Sequence, residues 1–98
     1  MSSKTEGYRL PNATTLTHAT KLSIVEDKPL LFDYWTSSLE KTAIIGVKED
    51  GEKLLVKSES EYTSPVSKIF KVQDEYIIMT ENSIYIVDVE ILTKRISS

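Results

Sequence analysis

Residues 75–87 read EYIIMTENSIYIV, and this stretch decides the fold. Two apolar runs flank the polar pair Glu81-Asn82, which indicates two β-strands joined by a hairpin turn. Within each run the apolar residues do not alternate with polar ones. Because successive side chains of a strand point to opposite faces, both faces of these strands must be covered. The stretch therefore predicts central strands of a sheet that is buried on both sides.

The sequence on either side predicts further antiparallel strands. Asp50-Gly51 between two apolar runs is a strong signal for a β-hairpin, and Gln73-Asp74 indicates a second turn. We expect a first strand over residues 30–35 and a last, longest strand over 83–91. Residues 93–98 are expected to form a frayed end.

One segment, residues 15–27, has the periodicity of a helix. Its predicted apolar face consists of Leu16, Ala19, Leu22 and Val25, with Ile24 beside them. Pro29 ends this helix, because the residue before a proline is disfavoured in the α conformation. We expect residues 1–14 to form a flexible N-terminal tail and residues 15–98 to form a single β-rich domain.

The expected fold class is α+β, mostly β, with one N-terminal helix followed by a strand and a four-strand antiparallel meander. One short helix covers only part of one sheet face, so the other face needs a cover of its own. Closure into a small SH3-like barrel and an open sheet that dimerises across one face both fit this pattern. Large exposed apolar patches are rare on monomers, so we expect a homo-oligomer.

Composition limits the classes of function. The chain has 98 residues, no cysteine and a formal net charge of -3, which fits one domain without disulfides or thiol chemistry. Its basic residues are scattered, whereas nucleic-acid binding leaves a basic patch. No apolar run approaches the ~18 residues that span a bilayer, and the first residues lack a signal-peptide pattern. We expect a cytoplasmic protein that binds neither nucleic acid nor membranes.

Patterns that support catalysis or cofactor binding are missing from the sequence. His18 is the only histidine, and neither a nucleophile elbow nor a glycine-rich oxyanion loop accompanies it. The acidic residues lack the spacing of a calcium loop, and the three glycines form no phosphate-binding loop. We therefore expect no enzyme, no cofactor and no metal site, and a hydrolase that uses His18 is the weaker alternative.

Two segments rich in aromatic and hydroxyl side chains are the candidate binding sites. The first contains Tyr34 and Trp35, side chains that suit binding surfaces because they offer apolar area with a polar group. The second consists of Tyr62, Thr63, Ser64, Asn82 and Tyr85. Uncharged donors and acceptors of this kind suit a small polar ligand. The structural alternatives are a Trp35 that plugs a sheet edge and ordinary turn chemistry in the second segment.

The second segment also carries a resemblance to known proteins. Within residues 42–89 the chain contains Thr63-Ser64-Pro65-Val66 with Ile69, and a hairpin that ends Thr80-Glu81-Asn82-Ser83-Ile84-Tyr85. These features resemble short β-rich proteins of phages and large DNA viruses. Some small phage proteins with similar hairpins sequester the cyclic or ADP-ribose-type nucleotides that bacterial defence systems use as signals. The resemblance implies nucleotide sequestration, but such proteins commonly hold phosphates with arginines, and this chain has only Arg9 and Arg95.

The leading hypothesis from the sequence is a non-enzymatic interaction module. It would act stoichiometrically on a protein partner, as a homo-oligomer. The alternative is a protein that sequesters a small polar ligand such as a nucleotide at the second segment. The nearest cations for a phosphate would then be Lys57, Lys68 and Lys71.

Overall fold

The computed structural model describes residues 9–96, which contain one main helix, one short helix and eight strands. Helix α1 spans Ala13–Glu26 and helix α2 spans Trp35–Leu39. The strands are β1 (Leu30–Leu31), β2 (Ile44–Val47), β3 (Lys53–Ser58), β4 (Glu61–Tyr62), β5 (Val66–Val72), β6 (Glu75–Thr80), β7 (Ile84–Asp88) and β8 (Leu92–Arg95).

The strands form two four-stranded sheets. Sheet A has the order β1-β7-β6-β5, and sheet B has the order β4-β3-β2-β8. Each sheet is mixed, because β1 runs parallel to β7 and β8 runs parallel to β2. The predicted class, α+β and mostly β with an N-terminal helix, is confirmed. The antiparallel strands are divided between the two sheets, and neither sheet closes into an SH3-like barrel within residues 9–96.

Sheet A lies between helix α1 and sheet B, and its central strands β6 and β7 are buried on both faces. Toward α1 it packs Ile77, Ile84 and Ile86 against Ala19. The opposite face of sheet A packs on sheet B through Ile78, Tyr85, Val87, Ile45 and Leu55. The two covered faces predicted from residues 75–87 are therefore present. Sheet B of the same chain covers the second face, so that face does not require a second subunit.

Helix α1 buries a narrower stripe than the sequence predicts. Thr15 and Ala19 are buried, whereas Ile24 and Val25 are 75% and 76% exposed. The predicted face assumed a strict three-residue spacing, but a helix turns once in 3.6 residues. Val25 follows Leu16 by about two and a half turns and therefore lies on the opposite side of the helix.

The predicted strand over residues 30–35 is wrong beyond Leu31. After β1 the chain turns, and Trp35 begins helix α2. The Ser38 hydroxyl donates to the Trp35 carbonyl at 2.6 Å and accepts from the Asp88 backbone N–H at 2.9 Å. These bonds fix the short helix against the end of β7. Residues 30–35 are rich in apolar side chains because the chain turns a corner here. Leu31 and Tyr34 pack in the core between the two sheets, and Leu30 and Trp35 pack in the core beneath α1.

The end of the chain also differs from the prediction. The last predicted strand, over residues 83–91, stops at Asp88 in the structure. Residues of the expected frayed end instead form β8, which pairs with β2 in the register Ile44 with Leu92 and Val47 with Arg95. The partner strand is distant in sequence, so local pattern does not reveal the pairing. Residues 97 and 98 lie outside the described residues.

The hairpin predicted at Asp50-Gly51 is confirmed. It joins β2 to β3, and Gly51 has a φ of 91°. The Gly51 N–H donates to the Lys48 carbonyl at 2.9 Å, and the Lys48 N–H donates to the Glu52 carbonyl at 2.8 Å. Glycine supplies this positive φ without the strain that a side chain would add.

Candidate functional site

The first predicted site, Tyr34 and Trp35, is buried and does not form a surface. Tyr34 packs edge-on against Tyr85 in the core between the sheets, with ring centroids 5.4 Å apart. Trp35 enters the core beneath α1. Burial raises the pKa of the Tyr34 hydroxyl to about 12, and the nearby Tyr85 and acidic groups add to the shift. These two aromatic residues serve the cores in this structure.

The second predicted site is spread over different environments. Thr63 is buried, accepts a hydrogen bond from the Leu55 backbone N–H at 3.1 Å and donates to the Ser64 carbonyl at 2.8 Å. Tyr85 lies in the core, and Tyr62 is 59% exposed. Of these residues, Tyr62 alone lines either of the two grooves described below.

Asn82 lies in the β6–β7 turn, and the Thr80 hydroxyl holds this turn through hydrogen bonds to its backbone. The Thr80 hydroxyl accepts from the backbone N–H groups of Asn82 and Ser83 at 3.3 and 3.1 Å, and it donates to the Ser83 carbonyl. The Glu81 N–H reaches the Pro65 carbonyl at 3.3 Å, so Ser64 and Asn82 belong to neighbouring loops. The Thr80 hydroxyl therefore stabilises the turn itself, as hydroxyl side chains in turns commonly do.

Sequence reasoning missed an ion-pair cluster around Arg9. The Arg9 guanidinium donates to Glu75 and to Asp88, and its Cζ lies 4.9 Å from the centre of the Trp35 ring. The Trp35 indole N–H donates to the Arg9 carbonyl at 2.9 Å. Burial lowers the pKa of Arg9, but hydrogen bonds to the two carboxylates outweigh it and raise the pKa overall.

The Glu75 side chain is fully buried and also accepts the backbone N–H of Asn12 at 3.1 Å. Residues 9–12, part of the expected tail, therefore contact the domain; residues 1–8 lie outside the described residues. Because these carboxylates are bound by groups of the same chain, the cluster anchors residues 9–12 to the domain. A lone arginine whose partners are more than 60 positions away gives no local signal.

The outer face of sheet B carries a groove of about 600 Å³. Its lining residues are Lys48, Leu54, Val56, Ser58, Glu59, Tyr62, Arg95 and Ile96. Lys48 is already paired with Glu52 at 3.1 Å, and this bond raises the pKa of the Lys48 amine. The groove thus has an apolar floor with charged residues at its rim.

A second groove, of about 310 Å³, runs between α1 and strand β5. Its lining residues are His18, Leu22, Phe70, Lys71, Val72 and Ile77. Helix α1 lies over β6 and β7 and leaves Phe70 on β5 37% exposed. The only histidine of the chain is exposed on α1 at the rim of this groove.

Strand β5 is the edge of sheet A next to this groove. It pairs only with β6, and residues 67–71 are exposed. Two lysines, Lys68 and Lys71, lie on it, and neither forms an ion pair with another residue of the described part of the chain. Edge strands present unpaired backbone donors and acceptors. The signal for this edge is the run VSKIFKV, in which apolar residues and lysines are interleaved without an acidic residue.

Among residues 9–96 there is no group of three or more histidine or acidic residues that could hold a metal ion. No helix in the same range is long and apolar enough to cross a membrane. No family model, curated protein or solved structure matches this chain, so the resemblance to phage and viral proteins stays a prediction.

Proposed function

We propose that this protein is a non-enzymatic module that binds an extended acidic segment of a partner protein by adding it as a strand to β5. The observation that carries the proposal is an exposed seven-residue edge strand with two lysines that lack an ion-pair partner among residues 9–96. Strand addition to a sheet edge is a common way to recognise a peptide. Backbone hydrogen bonds supply the affinity, and side chains beside the edge supply the selectivity.

The other edges are less suitable for strand addition. Strands β1 and β4 have two residues each and β8 has four, so they offer a shorter ladder than β5. The bulge between Val66 and Lys68 places the regular part of β5 over residues 68–72. An added strand would therefore pair along this part.

The neighbouring groove gives the added strand a place for its side chains. Phe70 and Ile69 are both 37% exposed and, as neighbours on a strand, point to opposite faces. On the α1 side, Phe70, Leu22 and Ile77 form apolar walls of the second groove. An apolar side chain of the partner would enter this groove and gain the free energy of apolar burial, about 25 cal/mol per Å².

The positive charge on β5 favours an acidic segment of the partner protein. Lys68 and Lys71 repel a second copy of β5, which is the usual protective role of lysine on a sheet edge. The same lysines attract carboxylates, and the attraction raises the association rate and weakens with salt. A stoichiometric binder of this kind needs no catalytic group.

Peptide titration followed by backbone amide NMR tests the proposal. A soluble peptide of alternating valine and glutamate is the probe, and a peptide of alternating valine and lysine is the control. Lys68 and Lys71 lie on opposite faces of β5, so when the valines face the α1 groove the glutamates lie on the side of Lys71. We expect the acidic peptide alone to shift the amides of residues 67–72 and of the groove. A K68E/K71E variant should reverse the preference. Equal responses to both peptides, or shifts that avoid β5, would contradict the proposal.

A further inference from the structure

The two lysines of β5 lie on opposite faces of the strand. Lys68 is in register with Met79, which packs in the core beneath α1, so Lys68 lies on the α1 side of sheet A. Lys71 is in register with Tyr76, which packs against the core between the sheets, so Lys71 lies on the side of sheet B. Neither lysine forms an ion pair with another residue of the range 9–96. The edge therefore offers positive charge on both of its faces.

The two residues between these lysines are apolar and also lie on opposite faces. Phe70 is in register with Ile77 on the α1 side, and Ile69 is in register with Ile78 on the side of sheet B. Ile77 and Ile78 are buried, whereas Phe70 and Ile69 remain partly exposed because no strand lies beyond β5. An added strand would cover this remaining apolar surface on both faces.

The backbone of β5 offers hydrogen bonds at alternate residues. The Met79 carbonyl points to β5, because it accepts the Ser67 hydroxyl at 3.0 Å. Lys68 is in register with Met79, and hydrogen-bonded pairs alternate with non-hydrogen-bonded pairs along an antiparallel ladder. Lys68 therefore bonds back to β6, and the backbone N–H and carbonyl groups of Ile69 and Lys71 point to the free edge. An added strand would bond to these two residues.

The order of side chains along this edge specifies the order in the segment that it binds. Side chains directly opposite each other on paired strands lie on the same face, with Cβ atoms about 4.5–5.5 Å apart. An acidic residue suits the positions opposite Lys68 and Lys71, and an apolar residue suits the positions opposite Ile69 and Phe70. We infer that β5 selects a partner segment in which two adjacent apolar residues are flanked on each side by an acidic residue.

This inference rests on the proposed strand addition and names the sequence pattern of the partner. The pattern reads the same in both directions, so it does not depend on the direction of the added strand. A segment that alternates acidic and apolar residues suits the edge less well, because its acidic residues all lie on one face. One of them meets a lysine, and the next lies opposite an apolar residue or beyond the regular part of β5. The edge therefore selects the spacing of the acidic residues as well as their charge.

Two peptides of identical composition separate the effect of spacing from the effect of charge. Each carries two threonines on either side of a four-residue core. The core of the probe is glutamate-valine-valine-glutamate, and the core of the control is valine-glutamate-valine-glutamate. Backbone amide NMR during titration of the wild type gives a dissociation constant for each peptide. We expect both peptides to shift the amides of β5, and the probe to bind about two- to fivefold more tightly through its second cross-strand ion pair.

A variant with the same composition as the wild type provides the matched control. In K68I/I69K the lysines occupy positions 69 and 71 and share one face, so the alternating peptide should become the tighter ligand. K68Q removes one charge without moving the other, so it should bind the two peptides alike. Residues 68 and 69 are exposed, and the amide spectrum of each variant verifies that the fold is kept.

The possible outcomes distinguish this inference from the proposed function. If the two peptides bind equally to β5 of the wild type, or if the preference for the probe survives in K68I/I69K and K68Q, the inference is overturned while strand addition at β5 stands. If neither peptide shifts the amides of β5, strand addition itself is contradicted, and the inference is overturned with it.

Discussion

Arg9 and Glu75 form an ion pair across most of the chain, and the Glu75 side chain in this pair is fully buried. The pair joins the segment before α1 to the first residue of β6. Asn12 and Trp35 hold the same segment through their own hydrogen bonds. The pair therefore couples the placement of α1 to the central strands.

Removal of the Arg9 guanidinium should destabilise the protein. In R9A the buried Glu75 carboxylate loses its charged partner, and we expect a loss of about 1–3 kcal/mol in the free energy of unfolding. The estimate is reduced from that of a fully buried pair because the Arg9 side chain is 39% exposed. Urea denaturation measures the loss, and K21A on the exposed side of α1 is the control.

The same substitution in an E75Q background should cost less, because no buried charge is then left without a partner. An equal loss in both backgrounds would show that Arg9 does not act through Glu75. The fluorescence of Trp35, the only tryptophan, offers a second measurement. Its emission should move to longer wavelength in folded R9A as the side chain gains contact with water.

Alkaline pH should destabilise the fold through Tyr34. Its pKa rises from the ordinary value of 10 to about 12 in the folded protein, chiefly by burial. Between these two values the unfolded chain loses the proton while the folded protein keeps it, so stability falls as pH rises. Below pH 10 the contribution is fully present. Urea denaturation across this window should show a smaller decline in Y34F, and an identical decline would contradict the assignment.

Isoleucine-to-alanine substitutions should separate core from surface. Ile86 is fully buried between sheet A and α1, whereas Ile24 is 75% exposed on α1. We expect I86A to lose about 2–5 kcal/mol, because it removes buried methyl groups and leaves a cavity. I24A should change stability by about 0.5 kcal/mol or less. Similar losses in the two variants would place Ile24 in a contact that this structure lacks.

Gly51 should tolerate asparagine better than alanine. Its φ of 91° is unfavourable for side chains, although no atom lies within 4 Å of an added Cβ. G51A should therefore lose about 1 kcal/mol through backbone strain alone. Asparagine enters the left-handed region more readily, so G51N should lose less. Thermal unfolding of both variants checks the order, and equal stability of G51A and the wild type would contradict it.

Local pattern was enough to predict the strands and turns around residues 75–87, because apolar runs and turn residues act over a few positions. It also indicated that both faces of the central strands are covered. Local pattern did not reveal that sheet B covers the second face of sheet A. Sheet B depends on the parallel pairing of β2 with β8, two segments that are distant in sequence. Local sequence carries little information about such pairs.

The candidate sites were harder to predict, since residue type does not fix exposure. The sequence predicts Tyr34 and Trp35 as binding residues because their rings offer apolar area with a polar group, and it predicts Tyr85 because of its hydroxyl group. In the structure all three side chains lie in the cores. Tyr62 faces outward because it pairs with Val56, and both residues line the groove on the outer face of sheet B. Strand β5 is an edge because it pairs with β6 on one side only, and residue type does not fix that pairing.

The parallel pairings of β1 with β7 and of β2 with β8 constrain how the chain folds during translation. Sheet A is incomplete until β1 meets β7, and sheet B is incomplete until β2 meets β8, so each sheet pairs a strand with one that is synthesised several elements later. During translation β2 and β3 leave the ribosome with their apolar residues exposed, well before their cover exists. Long-range pairings of this kind also slow folding. The nascent chain is therefore prone to aggregate between the emergence of β3 and that of β8, and chaperone binding should be strongest over this interval.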